Sequence, residues 1–160
     1  VRRILEVGCA IGYSAIRMAA AGGATVDTIE ISPAAVSRAR DNISRAGMQE
    51  RIRVIEGDAR DILPTLSGPY DMIFVDAAKA QYHVFFPECM RMLKSGGLLV
   101  SDNVLYKGMT ATDELVEHRK ITIVKRLRKY LEMLCSHSEL RTAILPVGDG
   151  VALSLKKSHS

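Results

Sequence analysis

Apolar runs at residues 3–7, 25–31, 52–57, 70–76 and 97–103 alternate with stretches whose apolar positions recur at helical spacing. That alternation predicts parallel strands joined by crossover helices, a doubly wound α/β sheet. The second helix declares its ends: Ser32 caps free amides, Pro33 suits the first helical turn and Gly47 stops it near Met48, which puts Glu30 at a strand's C-terminal end. Beyond the fifth run come a loop with Lys107 and Gly108 and a helix near 112–136, with Ile123, Val124, Leu127, Leu131 and Leu134 on one face. Residues 141–147 and 151–155 then flank Gly148-Asp149-Gly150, which predicts a hairpin. An antiparallel hairpin closing a parallel sheet departs from the six-parallel-strand dinucleotide fold.

The 160 residues, 48% hydrophobic, suit one domain over 1–160. A strand-like run begins almost at Val1, so a truncated N-terminus is expected. No apolar stretch nears the roughly eighteen residues of a membrane span, which predicts a soluble chain. The three cysteines, Cys9, Cys89 and Cys135, form no CxxC pair and suit a reducing cytosol rather than disulfides or structural zinc. A net charge of +4 hints only weakly at phosphate-rich partners.

Open sheets of this type bind ligands outside the carboxyl ends of their strands. There the first strand runs into Glu6-Val-Gly8-Cys-Ala-Ile-Gly12-Tyr13-Ser14, whose glycines let the backbone pass close beneath a ligand. The spacing is GxxxG, not GxGxxG. A pyrophosphate loop would offer helix amides to an anion, whereas Glu6 brings negative charge, suited to the ammonium and sulfonium of S-adenosylmethionine. Glu30, about 20 residues on, takes the place of an acid that binds ribose hydroxyls. Asp58 and Ala59 would face the adenine. Cys9 has no histidine–aspartate companions and is read as packing.

At the reacting end, one strand terminates in Asp76 with Lys79 three residues later, and the next in Asp102-Asn103. Converging oxygen donors suit a hard cation such as Mg²⁺, which takes few protein ligands and leaves positions for substrate oxygens. A substrate with two neighbouring oxygens could chelate it, and Lys79 is the candidate general base. His83, His118, His137 and His159 are scattered and receive no chemistry.

Together, the 6–14 loop, Asp76-Ala-Ala-Lys79, Asp102-Asn-Val104 and Gly148-Asp-Gly150 resemble, in order and over essentially the whole chain, the class I metal-dependent O-methyltransferases of the catechol and caffeoyl-coenzyme A type. The resemblance implies a Rossmann-like methyltransferase sheet of order 3-2-1-4-5-7-6. It implies cofactor contacts from Glu6, Gly8, Tyr13, Ser14, Glu30, Asp58 and Ala59, metal ligation by Asp76, Asp102 and Asn103, catalysis by Lys79, and a contact of Asp76 with the cofactor ammonium. Residues 10–19, 76–82 and 102–108 look most like the bacterial tRNA 5-hydroxyuridine methyltransferases, implying tRNA as partner. Small catechols or phenolic coenzyme A esters are the alternative, and a cofactor-binding module without catalysis a further one. Lys125, Arg126, Arg128 and Lys129, opposite the apolar helix face, would meet RNA phosphates, and Tyr82 or Tyr106 would stack on an extruded base. The family also implies a cytoplasmic homodimer with a helical segment before the first strand, which this sequence lacks.

Overall fold

The computed structural model describes residues 1–158. Of the residues singled out above, His159 alone lies outside them. Strands β1 (Arg3–Val7), β2 (Thr25–Glu30), β3 (Ile52–Glu56), β4 (Tyr70–Val75) and β5 (Leu93–Asp102) alternate with helices α1 (Tyr13–Gly22), α2 (Pro33–Arg45), the short α3 (Ala59–Ile62) and α4 (Tyr82–Met92). Helix α5 (Ile121–Ser136) precedes strands β6 (Leu140–Leu145) and β7 (Val151–Lys156). The sheet order is β3-β2-β1-β4-β5-β7-β6. β1 to β5 are parallel, and β7 runs antiparallel to both β5 and β6, as the hairpin pattern predicts.

Strands buried on both faces read as continuous apolar runs, because helices cover each side of a parallel sheet. One core cluster joins Leu5, Val7, Ile73, Val75 and Leu99 to Phe85 and Phe86 of α4 and Leu127 and Leu134 of α5. The other, beneath α1 and α2, gathers Ile4, Val26 and Ile52 with Ala15, Ala19, Ala39 and Ile43. As predicted, Ser32 caps α2, its hydroxyl accepting from the Ala35 amide, with Pro33 in the first turn.

The coverage is uneven across the sheet. Along the register, Met72 of β4 lines up with Leu98 of β5 and Leu155 of β7, and Phe74 with Val100 and Leu153. These side chains are half-buried except for Leu155, which is 45% exposed. One residue along, on the face packed by α4 and α5, Ile73, Leu99 and Ser154 are fully buried.

The last helix is shorter than the apolar spacing suggests, spanning 121–136 rather than 112–136. Residues 103–120 form turns, with the Val116 amide donating to Asp113 O and the Glu114 amide to the Thr112 hydroxyl. Its buried stripe is Val124, Leu127, Tyr130 and Leu134, so Tyr130 joins the predicted face while Ile123 and Leu131 flank it. The Tyr130 hydroxyl is satisfied at 2.6 Å from the buried Ser101 hydroxyl of β5, as a buried polar group requires. Arg128 is not on an open basic face. Its guanidinium binds the carbonyls of Thr110 and Met109 and the Asp113 carboxylate.

Candidate active site

The turn from β1 into α1 passes hard against the end of β4. A Cβ on Gly8 would stand 2.1 Å from the carbonyl oxygen of Asp76, and Gly8 has φ +103°, so glycine is required there. The amides of Gly8 and Cys9 both donate to Ile29 O, at 3.0 and 3.1 Å. This lashes the loop to β2 and brings three strand ends together.

Glu6 lies beneath that loop, not on its surface. It is fully buried, and the hydroxyls of Ser14 and Thr28 each donate to one of its carboxylate oxygens. Burial pushes the Glu6 carboxyl up, the two hydroxyls pull it back, and the charges of Asp76 and Glu30 raise it further. Both carboxylate oxygens are thus engaged within the protein, and the Ser14 hydroxyl is held in place by one of them. Thr28, which secures the second oxygen, drew no attention in the sequence because a strand threonine is ordinarily a packing residue.

Glu30 fixes the loop from the other side, accepting from the Ala10 amide at 2.8 Å and the Ser32 amide at 2.9 Å. Asp58 caps α3, accepting from the Arg60 amide at 2.8 Å, and its carboxylate is paired with the Arg60 guanidinium at 2.6 Å. That hydrogen bonding holds the Asp58 carboxyl below its usual range. Arg60 is thus a neighbour that the strand-end reading did not anticipate.

These groups line two adjoining open clefts. The first is walled by Gly8, Glu30, Ile31, Asp58, Ala59 and Asp76, and Phe85 also lines it. The second is walled by Gly8, Tyr13, Ser14, Phe74, Asp76 and Asp102. Asp76 borders both. The first has the mixed apolar and acidic lining of a nucleoside site. Ile31, 62% exposed, supplies an apolar wall that sequence alone would mark only as the residue after Glu30.

At the reacting end, burial, then the Asp102 charge, raises the Asp76 carboxyl, while Lys79 draws it down. Asp102 and Lys79 are therefore electrostatic neighbours of Asp76. Lys79, half-buried in the turn Lys79–Gln81, makes no ion pair among the described residues. Asn103 has φ +55°, and its amide and side-chain Nδ2 donate to Asp102 Oδ1 at 2.6 and 3.0 Å. Among the described residues no group of three histidine, cysteine, aspartate or glutamate side chains suits a metal. Two carboxylates and one carboxamide are nevertheless the oxygen donors that a hard cation with several water or substrate ligands accepts.

Tyr82 does not serve as a stacking platform. It is fully buried, edge-on to Tyr130, with its hydroxyl donating to Asp102 O at 3.1 Å. Tyr106 is half-buried against the core. Cys9 is buried, which raises its thiol to about 11 and leaves it no nucleophile at neutral pH. No helix among the described residues is long and apolar enough to cross a membrane.

A family model described as O-methyltransferase matches residues 1–157, so the chain belongs to the O-methyltransferase family. A catechol O-methyltransferase of Mycobacterium tuberculosis is 38% identical, the match covering 96% of this chain and 71% of that protein. One from Niastella koreensis is 36% identical, covering 98% and 74%. Among solved structures, the O-methyltransferase TomG of Streptomyces achromogenes, in complex with SAM, superposes with a TM-score of 0.87 at 31% identity, over 98% of this chain and 74% of that one. The protein is an S-adenosylmethionine-dependent O-methyltransferase.

Proposed function

We propose that the enzyme methylates one of two neighbouring oxygens on a small aromatic substrate of the catechol or phenolic type, with a divalent cation at Asp76, Asp102 and Asn103. The observation that carries this reading is the convergence of Asp76 and Asp102 on the cleft next to the one lined by Glu30 and Asp58. Catechol O-methyltransferases among the relatives favour the same substrate class.

A bound divalent cation would lower the pKa of a chelated hydroxyl and hold the resulting oxyanion. The chain's own residues do the rest. Glu30 receives the ribose hydroxyls of S-adenosylmethionine, Asp58 and Ala59 border its adenine, and Tyr13 and Ser14 meet its amino-acid end. Asp76, common to both clefts, ties the cofactor ammonium to the substrate side. Lys79 takes the hydroxyl proton, and transfer then depends on aligning oxygen, methyl carbon and sulfur.

A second reading, 5-hydroxyuridine in tRNA, offers the same pair of neighbouring oxygens. It draws on Lys125, Arg126 and Lys129, exposed along α5 and without acidic partners among the described residues. Methyl transfer from labelled S-adenosylmethionine, with Mg²⁺ or EDTA, to a catechol beside hydroxyuridine-containing tRNA separates the two. Metal-dependent labelling of the catechol supports the first. Labelling of tRNA alone replaces it with the second, and cofactor binding without any turnover leaves a binding module.

A further inference from the structure

The Gly148-Asp149-Gly150 turn does more than reverse the chain between β6 and β7. It grips the loop that follows β5. The Val104 amide donates to Gly150 O at 3.0 Å, the Leu105 amide to Asp149 O at 2.9 Å, and the Lys107 amide to the Asp149 carboxylate. The fit is close: a Cβ on Gly150, where φ is +85°, would lie 2.3 Å from Leu105 Cγ.

The gripped segment is conformationally strained. Tyr106, Lys107 and Gly108 have φ of +46°, +56° and +79° in succession, and Asn103 has φ +55°. Residues other than glycine rarely adopt this region, least of all consecutively, so the surroundings must hold them there. Asp149 supplies one restraint, on the Lys107 amide. Arg128 of α5 supplies the other, donating to Met109 O at 3.1 Å and Thr110 O at 3.2 Å while paired to Asp113 at 2.6 Å. Val104, held by the turn at Gly150, and Met109, held by Arg128, are both buried, which anchors the loop against the sheet. The proposed cation residue Asn103 begins this segment, directly after Asp102 at the cleft.

We infer that Asp149 and Arg128 are positioning residues for methyl transfer: together they hold the 103–110 loop, with its left-handed residues Asn103, Tyr106, Lys107 and Gly108, in the path that sets Asn103 beside Asp102 and fixes how the substrate's two oxygens present themselves. Neither touches the reacting atoms. The inference rests on the proposed vicinal-oxygen substrate, because only a substrate with two candidate oxygens turns a displaced loop into a change of product.

The test compares the full chain with Asp149→Ala, Asp149→Asn and Arg128→Lys. Amide hydrogen exchange needs no substrate. Losing the acceptor should speed exchange in residues 103–110 by about tenfold or more in Asp149→Ala, with the β1 to β4 amides unchanged. Asp149→Asn keeps an acceptor oxygen and should restore protection, whereas Arg128→Lys, unable to span two carbonyls, should not. With an unsymmetrical catechol, Asp149→Ala should lower kcat by about tenfold or more and shift the ratio of the two mono-methylated products, since small misplacements are costly in a positioned reaction. S-adenosylmethionine affinity should stay within about twofold, because the cofactor cleft is built from other elements. Unchanged exchange in Asp149→Ala overturns the clamp, and faster exchange with an unchanged product ratio and kcat overturns the positioning role. If the wild-type enzyme methylates no catechol, the substrate reading fails, and the exchange result still decides whether the clamp exists.

Discussion

The Ser14 hydroxyl, at the start of α1, donates to the carboxylate of Glu6, at the end of β1, across the whole glycine turn. A buried carboxylate so placed costs stability when charged, and it earns its place by setting the field at the cofactor's cationic end. Burial raises its pKa in the folded state. Folding is then favoured below the unfolded carboxylate pKa, and that advantage is lost as pH rises through the folded value.

Replacing Glu6 with glutamine removes this charge and keeps the shape. Glu6→Gln should melt at a higher temperature than the wild type at pH 8, the gap narrowing toward pH 4, while binding S-adenosylmethionine about tenfold more weakly. Calorimetry across pH checks both, and a wild type more stable than the variant at pH 8 would contradict the assigned role.

Asp76 borders both clefts and Asp102 only the second. Asp76→Asn should therefore weaken S-adenosylmethionine binding and turnover together, whereas Asp102→Asn should abolish turnover with cofactor affinity within about threefold of wild type. EDTA should act like Asp102→Asn and be reversed by Mg²⁺. Equal cofactor losses in the two variants would refute this division of labour.

Lys79 and Glu30 should separate in the opposite sense. Lys79→Ala should lower kcat by about a hundredfold, the usual worth of a positioned base, with little change in cofactor binding. Glu30→Ala should raise the S-adenosylmethionine dissociation constant by about tenfold to a hundredfold, because it also frees the Ala10 and Ser32 amides. Full activity of Lys79→Ala across the pH range would remove it as the base.

Away from the chemistry, Tyr130→Phe leaves the buried Ser101 hydroxyl without its partner. A loss of about 1–3 kcal/mol in unfolding free energy is expected, measurable by urea titration, with cofactor affinity unchanged.

Much of this was legible in the chain because it is local. Alternating apolar runs, a Ser-Pro helix start and a Gly-Asp-Gly turn are determined by neighbouring residues, and they predict the sheet, its antiparallel hairpin and the strand ends where Glu30, Asp58, Asp76 and Asp102 stand. The errors came where a side chain's partner is distant. Tyr82 is a core residue because its hydroxyl finds the Asp102 carbonyl and its ring finds Tyr130. Arg128, set among Lys125, Arg126 and Lys129 on α5, turns instead to Met109, Thr110 and Asp113, and the helix itself begins at 121 rather than 112.

The sequence by itself determined the order of elements and the residue types at each strand end, since hydrophobic period and turn chemistry act over a few residues. Only the tertiary structure decided that Glu6 sits beneath the loop with Thr28 and Ser14, that Asp76 is shared between two clefts, and that Asp149 and Arg128 hold the loop after β5. Those outcomes depend on which carbonyls and carboxylates the packing of strands and helices brings within hydrogen-bonding distance, and where the group is buried, as at Glu6, its pairing becomes obligatory.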